Sequence, residues 1–216
     1  MILALDTTHE YGSLALGNLG LPPRTLEEEA LHEPTGFSGV LYARIEALLS
    51  RHGLKPADIA CFAAASGPGS FTGVRVGLAC IKGLAEALGK PAIAVSNLEA
   101  LARFGNAPLR AVLIDARREE IYGAVYDAAG RLVSPEVVAP LGAWQATLPE
   151  DVTEFISPDL QPPLPPGATL VKAPRALAGM VAQIAAERLA RGDRGDPAAI
   201  DANYVRRSDA ELFART

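Results

Sequence analysis

The feature that most constrains the fold is a pattern that occurs twice along the chain. Residues 2–5 form a short apolar run that ends in Asp6, and a polar turn leads to Tyr11-Gly12 and a second apolar run. The same order returns in the second half, where an apolar run ends in Asp115 and Tyr122-Gly123 lies in the returning run. Two short strands joined by a polar turn predict a β-hairpin. Two related lobes, each beginning with a hairpin, are therefore expected.

The remaining segments predict a mixed α/β chain. Phe37, Leu41, Ile45 and Leu48 follow the spacing of one helix face, and Gly53 suits the left-handed position that ends a helix. Nine of the 17 prolines lie between residues 135 and 174, where they favour short strands and loops. We expect strands at residues 25–31, 59–65 and 92–95, and helices at residues 37–51, 72–88, 97–103 and 174–191.

A glycine-rich stretch, from Ser66 to Gly77, joins the apolar strand at residues 59–65 to the following helix. Its position suits phosphate binding, because the N-terminus of a helix presents free N–H groups. Its spacing fits neither the P-loop, which needs a lysine, nor the dinucleotide fingerprint, which needs a glycine where Thr72 stands. A tight turn, capped by Ser70 or Thr72, is the alternative.

Small residues form a row along that helix, at Gly73, Gly77, Cys80 and Gly83. Glycine inside a helix costs about 0.5–1 kcal/mol relative to alanine, so several in one helix indicate a close approach by another backbone. That backbone belongs either to the chain's own sheet or to a helix of a partner, and the sequence leaves both alternatives open.

The glycine-rich stretch also carries a family resemblance. The run Gly-Pro-Gly-Ser-Phe-Thr-Gly-Val-Arg-Val-Gly, from Gly67 to Gly77, resembles the signature of the TsaB family, the accessory subunit of bacterial tRNA threonylcarbamoyladenosine synthesis. Residues 2–8, residues 96–102, Asp115-Ala-Arg-Arg with Tyr122, and Tyr204-Val-Arg206 resemble further blocks of that family in the same order. The resemblance covers residues 1–127 well and is weak from 128 to 195.

The resemblance implies the actin-like ATPase fold, an α/β architecture of two related lobes, each with a mixed sheet flanked by helices. We place the first lobe at residues 1–103, with 196–216 packing back on it, and a shortened second lobe at 104–195. The implied role is a non-catalytic scaffold that docks and supports the catalytic TsaD subunit while N6-threonylcarbamoyladenosine forms next to the anticodon. The implied partners also include an ATPase similar to TsaE, with tRNA reached indirectly through the complex. No cofactor is expected on the isolated chain, and ATP or ADP would bind only within the complex.

The resemblance further places the docking surface on the helices at residues 37–51 and 72–88. Both helices carry apolar residues beyond one narrow stripe, and a homodimer through the same surface is an additional expectation, because a two-fold contact would bring the same helices together. The residues expected at this interface are Phe37, Leu41, Ile45, Leu48, Gly73, Val74, Gly77, Leu78, Ile81 and Ala85.

Residues that could carry chemistry are few. TsaD binds a metal through two histidines one helical turn apart, a spacing that puts both on one face, and Phe37 and Leu41 stand at those positions here. No two of His9, His32 and His52 lie four residues apart. The serines and threonines of the glycine-rich stretch have no histidine base that the sequence reveals. We therefore expect no metal site and no catalytic residue.

Asp6 and Asp115 end equivalent strands, at positions where acids of active actin-like proteins help to hold Mg-nucleotide. Both are therefore candidates for nucleotide binding, although each carboxylate could instead accept hydrogen bonds from its own hairpin turn. The glycine-rich nucleotide motif expected late in the second lobe is missing, since Ala178-Gly179-Met180 is a poor substitute. An actin-like kinase or ATPase that acts alone is the competing function.

Composition limits what the chain can bind, the state of its cysteines and its location in the cell. The net charge of −5 supplies no basic surplus for gripping nucleic acid, and the Arg117-Arg118 and Arg206-Arg207 pairs, each beside acids, are interpreted as solvated surface. Cys61 and Cys80 are expected to be reduced, buried thiols. The first residues lack the basic region of a signal peptide, and no apolar run approaches the length of a membrane span, so the cytoplasm is the expected location.

Overall fold

The computed structural model describes residues 1–20 and 22–206 and divides the chain into two compact units. Unit 1 consists of Met1–Ala100 and Arg175–Ala202, and unit 2 consists of Leu101–Pro174 together with the described residues from Asn203 onward. In chain order the elements are β1 (Ile2–Asp6), β2 (Tyr11–Gly17), β3 (Thr25–His32), α1 (Leu41–Arg51), β4 (Cys61–Ala65), α2 (Phe71–Leu88), β5 (Ala92–Val95), α3 (Asn97–Ala102), β6 (Leu109–Arg117), β7 (Glu120–Asp127), β8 (Leu132–Pro140), α4 (Leu141–Gln145), β9 (Glu154–Ser157), β10 (Thr169–Lys172) and α5 (Ala178–Ala190).

The doubled hairpin predicted from the sequence is confirmed, and it extends to the whole sheet. The strand order is β3-β2-β1-β4-β5 in unit 1 and β8-β7-β6-β9-β10 in unit 2. In each unit three strands form an antiparallel meander, and two further strands add in parallel beside the first strand of the hairpin. The two units therefore share one topology, which is the two-lobed arrangement expected for an actin-like α/β chain.

The glycine in each repeated Tyr-Gly pair has a packing role that is the same in both units. A Cβ atom on Gly12 would lie 2.6 Å from the ring of Phe37, and one on Gly123 would lie 2.5 Å from the ring of Trp144. Real Cβ atoms essentially never come that close to another atom, so glycine leaves room for the aromatic ring in both units, and at Gly12 also for the Asp6 carbonyl oxygen, 2.3 Å from the Cβ position. The repetition in the sequence thus reflects an aromatic side chain packed on the second strand of each hairpin.

Both faces of the sheet in unit 1 are covered. Leu3 and Leu5 of β1 face α1 and α2, while Ile2 and Ala4 face α5. All five residues of β4 are buried, as expected for a strand covered on both faces. In unit 2, Phe155 and Trp144 belong to a core that packs α4 against one face of the sheet. These cores fix the strand ends from which the polar side chains of the candidate site project.

Three elements differ from the sequence-based expectation. The first helix begins at Leu41 rather than Phe37, because the chain before Leu41 forms a turn in which the Phe37 carbonyl accepts from the N–H of Val40, three residues further on. A short helix, α4, lies within the proline-rich stretch. The last helix begins at Ala178 and packs on the sheet of unit 1, whereas the lobe boundaries drawn from the sequence assigned these residues to the second lobe.

Candidate functional site

The candidate site of unit 1 is a buried polar cluster at the ends of β1, β4 and β5. Asp6, Thr8 and Asn97 are each at most 1% exposed. The Asn97 side-chain amide donates to Thr8 Oγ1 at 2.8 Å, and the Thr8 hydroxyl in turn donates to Asp6 Oδ1 at 2.7 Å. Asp6 Oδ1 also accepts from the Thr8 backbone N–H at 2.9 Å, and Asn97 Oδ1 accepts from the N–H of Gly67 at 2.9 Å. One chain of hydrogen bonds therefore joins three segments that are distant in sequence.

The glycines of the signature pack against the turn that follows Asp6. A Cβ atom on Gly69 would lie 2.6 Å from the Thr8 carbonyl oxygen, one on Gly73 would lie 2.0 Å from the Thr7 carbonyl oxygen, and one on Gly77 would lie 2.5 Å from Thr7 Oγ1. The backbone whose approach the sequence predicted is thus the chain's own. Gly83 is different, because nothing lies within 4 Å of the position where its Cβ would be.

The start of α2 has the capping expected of a tight turn. Ser70 is the N-cap residue, and its side-chain oxygen accepts from the N–H of Gly73 at 3.3 Å. The N–H of Ser70 itself donates to the Thr8 carbonyl at 2.7 Å. Gly89 then ends the helix in the left-handed conformation, with φ of 62°. The glycine-rich stretch therefore satisfies part of its backbone within unit 1, as the alternative to a phosphate cradle predicted.

The N-terminus of α5 is also closed by side chains of unit 1. Ser13 Oγ accepts from the N–H groups of Leu177 and Ala178 at 3.1 and 2.9 Å. Glu28 Oε1 accepts from the N–H of Gly179 at 2.9 Å. A carboxylate is well placed here, because the N-terminal end of a helix carries partial positive charge. These three N–H groups, which could otherwise donate to a phosphate, already have acceptors within unit 1.

Asp115 occupies the corresponding position in unit 2, but its surroundings differ. It is exposed, and its Oδ1 accepts from the N–H of Arg117 at 2.8 Å. Both Asp6 and Asp115 thus bind the N–H two residues further on, as the hairpin alternative predicted. Arg117, Arg118 and Glu119 all have positive φ, between 56° and 65°. This conformation is costly for residues with a Cβ atom, so the β6–β7 turn is strained.

Of the second arginine pair, Arg206-Arg207, only Arg206 lies within the described residues. Arg206 forms an ion pair with Glu120, and its guanidinium lies 5.8 Å from the centre of the Tyr122 ring. Its side chain is only 15% exposed, so Arg206 is held by the start of β7 rather than solvated. Arg207 lies outside the described residues.

The residues predicted from the sequence to meet a partner are mostly inside unit 1. Eight of them are at most 5% exposed, and all eight belong to the core that packs α1 and α2 against the sheet; they are Phe37, Leu41, Ile45, Leu48, Val74, Leu78, Ile81 and Ala85. Gly77 is also buried, and Gly73 is partly buried against Thr7. This burial corrects the residue assignment, because side chains that cover the chain's own sheet are not an accessible docking surface.

The solvent side of the same two helices consists of other residues. Tyr42 of α1 is 61% exposed, and Ala79, Gly83 and Ala87 of α2 are exposed at intervals of four residues. Residues four apart lie on one face of a helix. The outer edge of α2 therefore has almost no side-chain bulk, and we call Ala79, Gly83 and Ala87 the small-residue edge.

The two cysteines are buried and free, as predicted. Burial raises the pKa of the Cys61 thiol on β4 to about 12. Burial likewise raises the pKa of the Cys80 thiol on α2 to about 11, although a hydrogen bond with Tyr42 opposes the shift. Cys61 belongs to the core beneath α5 and Cys80 to the core beneath α1 and α2, so the two thiols lie on opposite faces of one sheet.

The chemistry available to the polar cluster is limited. Among residues 1–20 and 22–206, no three His, Cys, Asp or Glu side chains are grouped so that they could hold a metal ion. Asp6 Oδ2 is buried and has no hydrogen-bond partner among the residues described. Thr8 and Asn97 of the cluster, and Thr7 beside it, were not predicted as site residues, although each lies in a segment that carried the family resemblance.

Comparisons with known proteins agree with this geometry. The family model described as TsaD: tRNA N6-adenosine threonylcarbamoyltransferase matches residues 37–149. The tRNA threonylcarbamoyladenosine biosynthesis protein TsaB of Escherichia coli is 36% identical over 129 residues, which are 58% of this chain and 54% of the relative. The protein of the same name from Bacillus subtilis is 37% identical over 154 residues, which are 69% of this chain and 66% of the relative. The chain thus matches little more than half of the first relative's length.

A solved structure extends the likeness to nearly the whole chain. YeaZ from Pseudomonas aeruginosa is 30% identical and superposes with a TM-score of 0.77, covering 94% of this chain and 98% of that one. The duplicated five-stranded sheets and the acid at the end of each first strand define a two-lobed α/β protein of the actin-like class. Within that class, the chain belongs to the TsaB family.

Proposed function

We propose that this chain is a non-catalytic subunit of the bacterial system that forms N6-threonylcarbamoyladenosine in tRNA, and that it docks and supports a catalytic subunit similar to TsaD. The names of the relatives from Escherichia coli and Bacillus subtilis support the pathway. The hydrogen bonding around the candidate site supports the non-catalytic role. Ser13 and Glu28 accept from N–H groups at the start of α5, and Asn97 accepts from the N–H of Gly67, so these donors are not free for a ligand.

The small-residue edge of α2 is the observation that carries the docking proposal. Gly69, Gly73 and Gly77 of the signature are required by the Thr7–Thr8 turn, but Gly83, which lies beyond the signature, is exposed and has open space beside it. An exposed glycine in the middle of a helix costs about 0.5–1 kcal/mol relative to alanine. With Ala79 and Ala87 it forms a surface on which the backbone of another helix can approach closely. We assign the docking surface to this edge together with Tyr42 of α1.

The test is to replace Gly83 by alanine and measure two quantities that should change in opposite senses. The variant gains about 0.5–1 kcal/mol in free energy of unfolding, because the helix interior loses a glycine that nothing in unit 1 needs. The added methyl group obstructs the partner helix, and affinity for the purified TsaD-like subunit falls roughly tenfold. Calorimetric titration gives the affinity, and urea unfolding gives the stability.

Gly142→Ala is the matched control. Gly142 lies in α4 of unit 2, is exposed, and also has nothing within 4 Å of its Cβ position. The Gly142→Ala variant should also gain free energy of unfolding, but it should keep the affinity of the unmodified chain for the TsaD-like subunit. If Gly83→Ala is more stable and binds the partner equally well, the small-residue edge is not the docking surface. Loss of the chain should also lower threonylcarbamoyladenosine in tRNA, measured by mass spectrometry, and unchanged levels in a strain without a second copy would contradict the pathway.

The competing function is an actin-like kinase or ATPase that acts alone. One observation favours it, since Asp6 Oδ2 has no hydrogen-bond partner among the described residues, although the atom is buried. Titration of the isolated chain with ATP and magnesium separates the two functions. Stoichiometric binding that Asp6→Asn abolishes would support the enzyme, whereas the proposed subunit gives no heat above that of the buffer.

A further inference from the structure

The Thr7–Thr8 turn is joined to α2 more closely than a hairpin turn needs to be. The Thr7 hydroxyl donates to the carbonyl of Gly73 in the first turn of the helix at 2.7 Å. The Thr8 carbonyl accepts from the N–H of Ser70, the residue that caps the same helix. Gly73 and Gly77 leave the space that Thr7 occupies. Polar bonds and steric contact therefore hold α2 against this turn at two successive turns of the helix.

We propose that Thr7 is a positioning residue that fixes α2 in place, and that the glycine signature is the other half of this helix lock rather than a ligand cradle. Thr7 is 2% exposed and cannot touch a partner itself. It acts through α2, since the small-residue edge lies on the same helix as Gly73 and Gly77. The consequence for partner binding rests on the proposed function, but the lock itself does not.

Thr7→Val and Thr7→Ser are the variants that test the lock. Valine keeps the branched shape but loses the hydroxyl, and it puts a methyl group where an oxygen now lies 2.7 Å from the Gly73 carbonyl oxygen. That separation is too short for a methyl group and forces α2 away from the turn. Serine retains the hydroxyl and should restore the lock. Thr7→Ala removes the bond without adding a contact and serves as the second variant if the valine protein does not fold.

Thr25→Val is the matched control. The Thr25 hydroxyl also donates to a helix glycine, with its oxygen 3.1 Å from the carbonyl oxygen of Gly179. That bond reaches α5 on the opposite face of the same sheet. The control therefore loses this bond, and the bond that Thr25 Oγ1 accepts from Gln183 Nε2 of the same helix, within unit 1 and without touching α2.

The chain's two thiols give a readout that separates movement of α2 from general loss of stability. Cys80 lies on α2 and Cys61 on β4 beneath α5, and both are at most 3% exposed. In the folded protein each thiol reacts with N-ethylmaleimide only when the structure that buries it opens locally. Global unfolding exposes both thiols together, whereas displacement of α2 exposes Cys80 alone. The ratio of the two labelling rates, read by mass spectrometry of peptides, therefore reports on the helix.

The expected result is an increase of roughly tenfold in the Cys80-to-Cys61 ratio for Thr7→Val, which corresponds to loss of a hydrogen bond and added contact strain. Thr7→Ser keeps the ratio of the unmodified chain, and Thr25→Val does not raise it. Partner affinity falls for Thr7→Val and is restored by serine. An unchanged ratio in both Thr7→Val and Thr7→Ala, or equal acceleration of both thiols, overturns the lock. A raised ratio with unchanged partner affinity supports the lock and instead contradicts docking through α2.

Discussion

The hairpins that open the two units have the same plan but are stabilised in different ways. Each has an aspartate that binds the N–H two residues further on, and each has a glycine beneath an aromatic ring. The start of the β1–β2 turn, at Thr7 and Thr8, is buried and held by α2, whereas the β6–β7 turn is exposed and carries three residues with positive φ. The duplicated pattern therefore encodes the strands, while the role of each turn depends on what packs against it.

This contrast explains why the family signature lies where it does. In unit 1 the glycines that accommodate the turn are Gly69, just before α2, and Gly73 and Gly77 on it, all more than 60 residues from the turn. In unit 2 no described helix supplies equivalent glycines, and the turn resolves its geometry locally by adopting strained backbone angles. A substitution in the first turn should therefore disturb a tertiary contact, and one in the second turn should have a local effect.

The largest expected effect is that of Gly73→Ala. Its Cβ would lie 2.0 Å from the Thr7 carbonyl oxygen, and neither atom can move away by side-chain rotation, because the Cβ is fixed to the helix backbone and the oxygen belongs to the backbone of the turn. We expect a loss of about 3 kcal/mol in free energy of unfolding, at the upper end for overpacking. Urea unfolding followed by far-UV circular dichroism measures it, with Gly83→Ala on the same helix as the control. A loss below about 1 kcal/mol would show that α2 does not depend on this close contact.

The next largest expected effect is the loss of stability when Asp6 or Asp115, the aspartates of the two hairpins, is replaced by alanine. Asp6→Ala leaves the buried N–H and hydroxyl of Thr8 without their acceptor, at a cost of about 2 kcal/mol after allowing for the unpartnered Oδ2 that is removed with it. Asp115→Ala removes one bond at an exposed turn and should cost about 0.5 kcal/mol. Trp144, the single tryptophan, reports unfolding of unit 2, and circular dichroism reports both units. Equal losses in the two variants would contradict the contrast between the hairpins.

Elements with local signals were predictable from the sequence. The hairpins, the buried strand β4 and the end of α1 at Gly53 follow from apolar runs and glycine, and the structure agrees, with φ of 66° at Gly53. The start of α1 was placed too early for a physical reason. Phe37 is in phase with Leu41 and is equally buried, but Gly36 and Gly39 interrupt the chain there and favour a turn over a helix.

Features that depend on distant partners were not predictable. Both sides of α1 and α2 carry apolar residues, and only the packed sheet shows that Ile81 and Ala85 face inward. Arginine at either position would therefore test folding rather than docking. The same limit applies to α5, whose N-terminal acceptors Ser13 and Glu28 lie 164 and 151 residues from the groups they bind. Sequence periodicity indicates that a helix has a buried face, but it does not identify the sheet that covers it.

The smallest expected effect is that of placing glycine just before the returning strand of each hairpin. It tests the strain of the β6–β7 turn directly, because the change in free energy of unfolding should have opposite signs in the two hairpins. Glu10 and Glu119 are both exposed, and each immediately precedes the returning strand of its hairpin. Glu119 has φ of 64°, a conformation that glycine adopts freely, whereas Glu10 is not among the residues with positive φ. Glu119→Gly should stabilise unit 2 by about 0.5 kcal/mol, since relief of the left-handed conformation outweighs the added freedom of the unfolded chain. Glu10→Gly gains no such relief and should destabilise unit 1 by about 0.5–1 kcal/mol. Replicate urea titrations of the two variants and the unmodified chain resolve a difference of this size, and loss of stability in both would show that the β6–β7 turn is not strained.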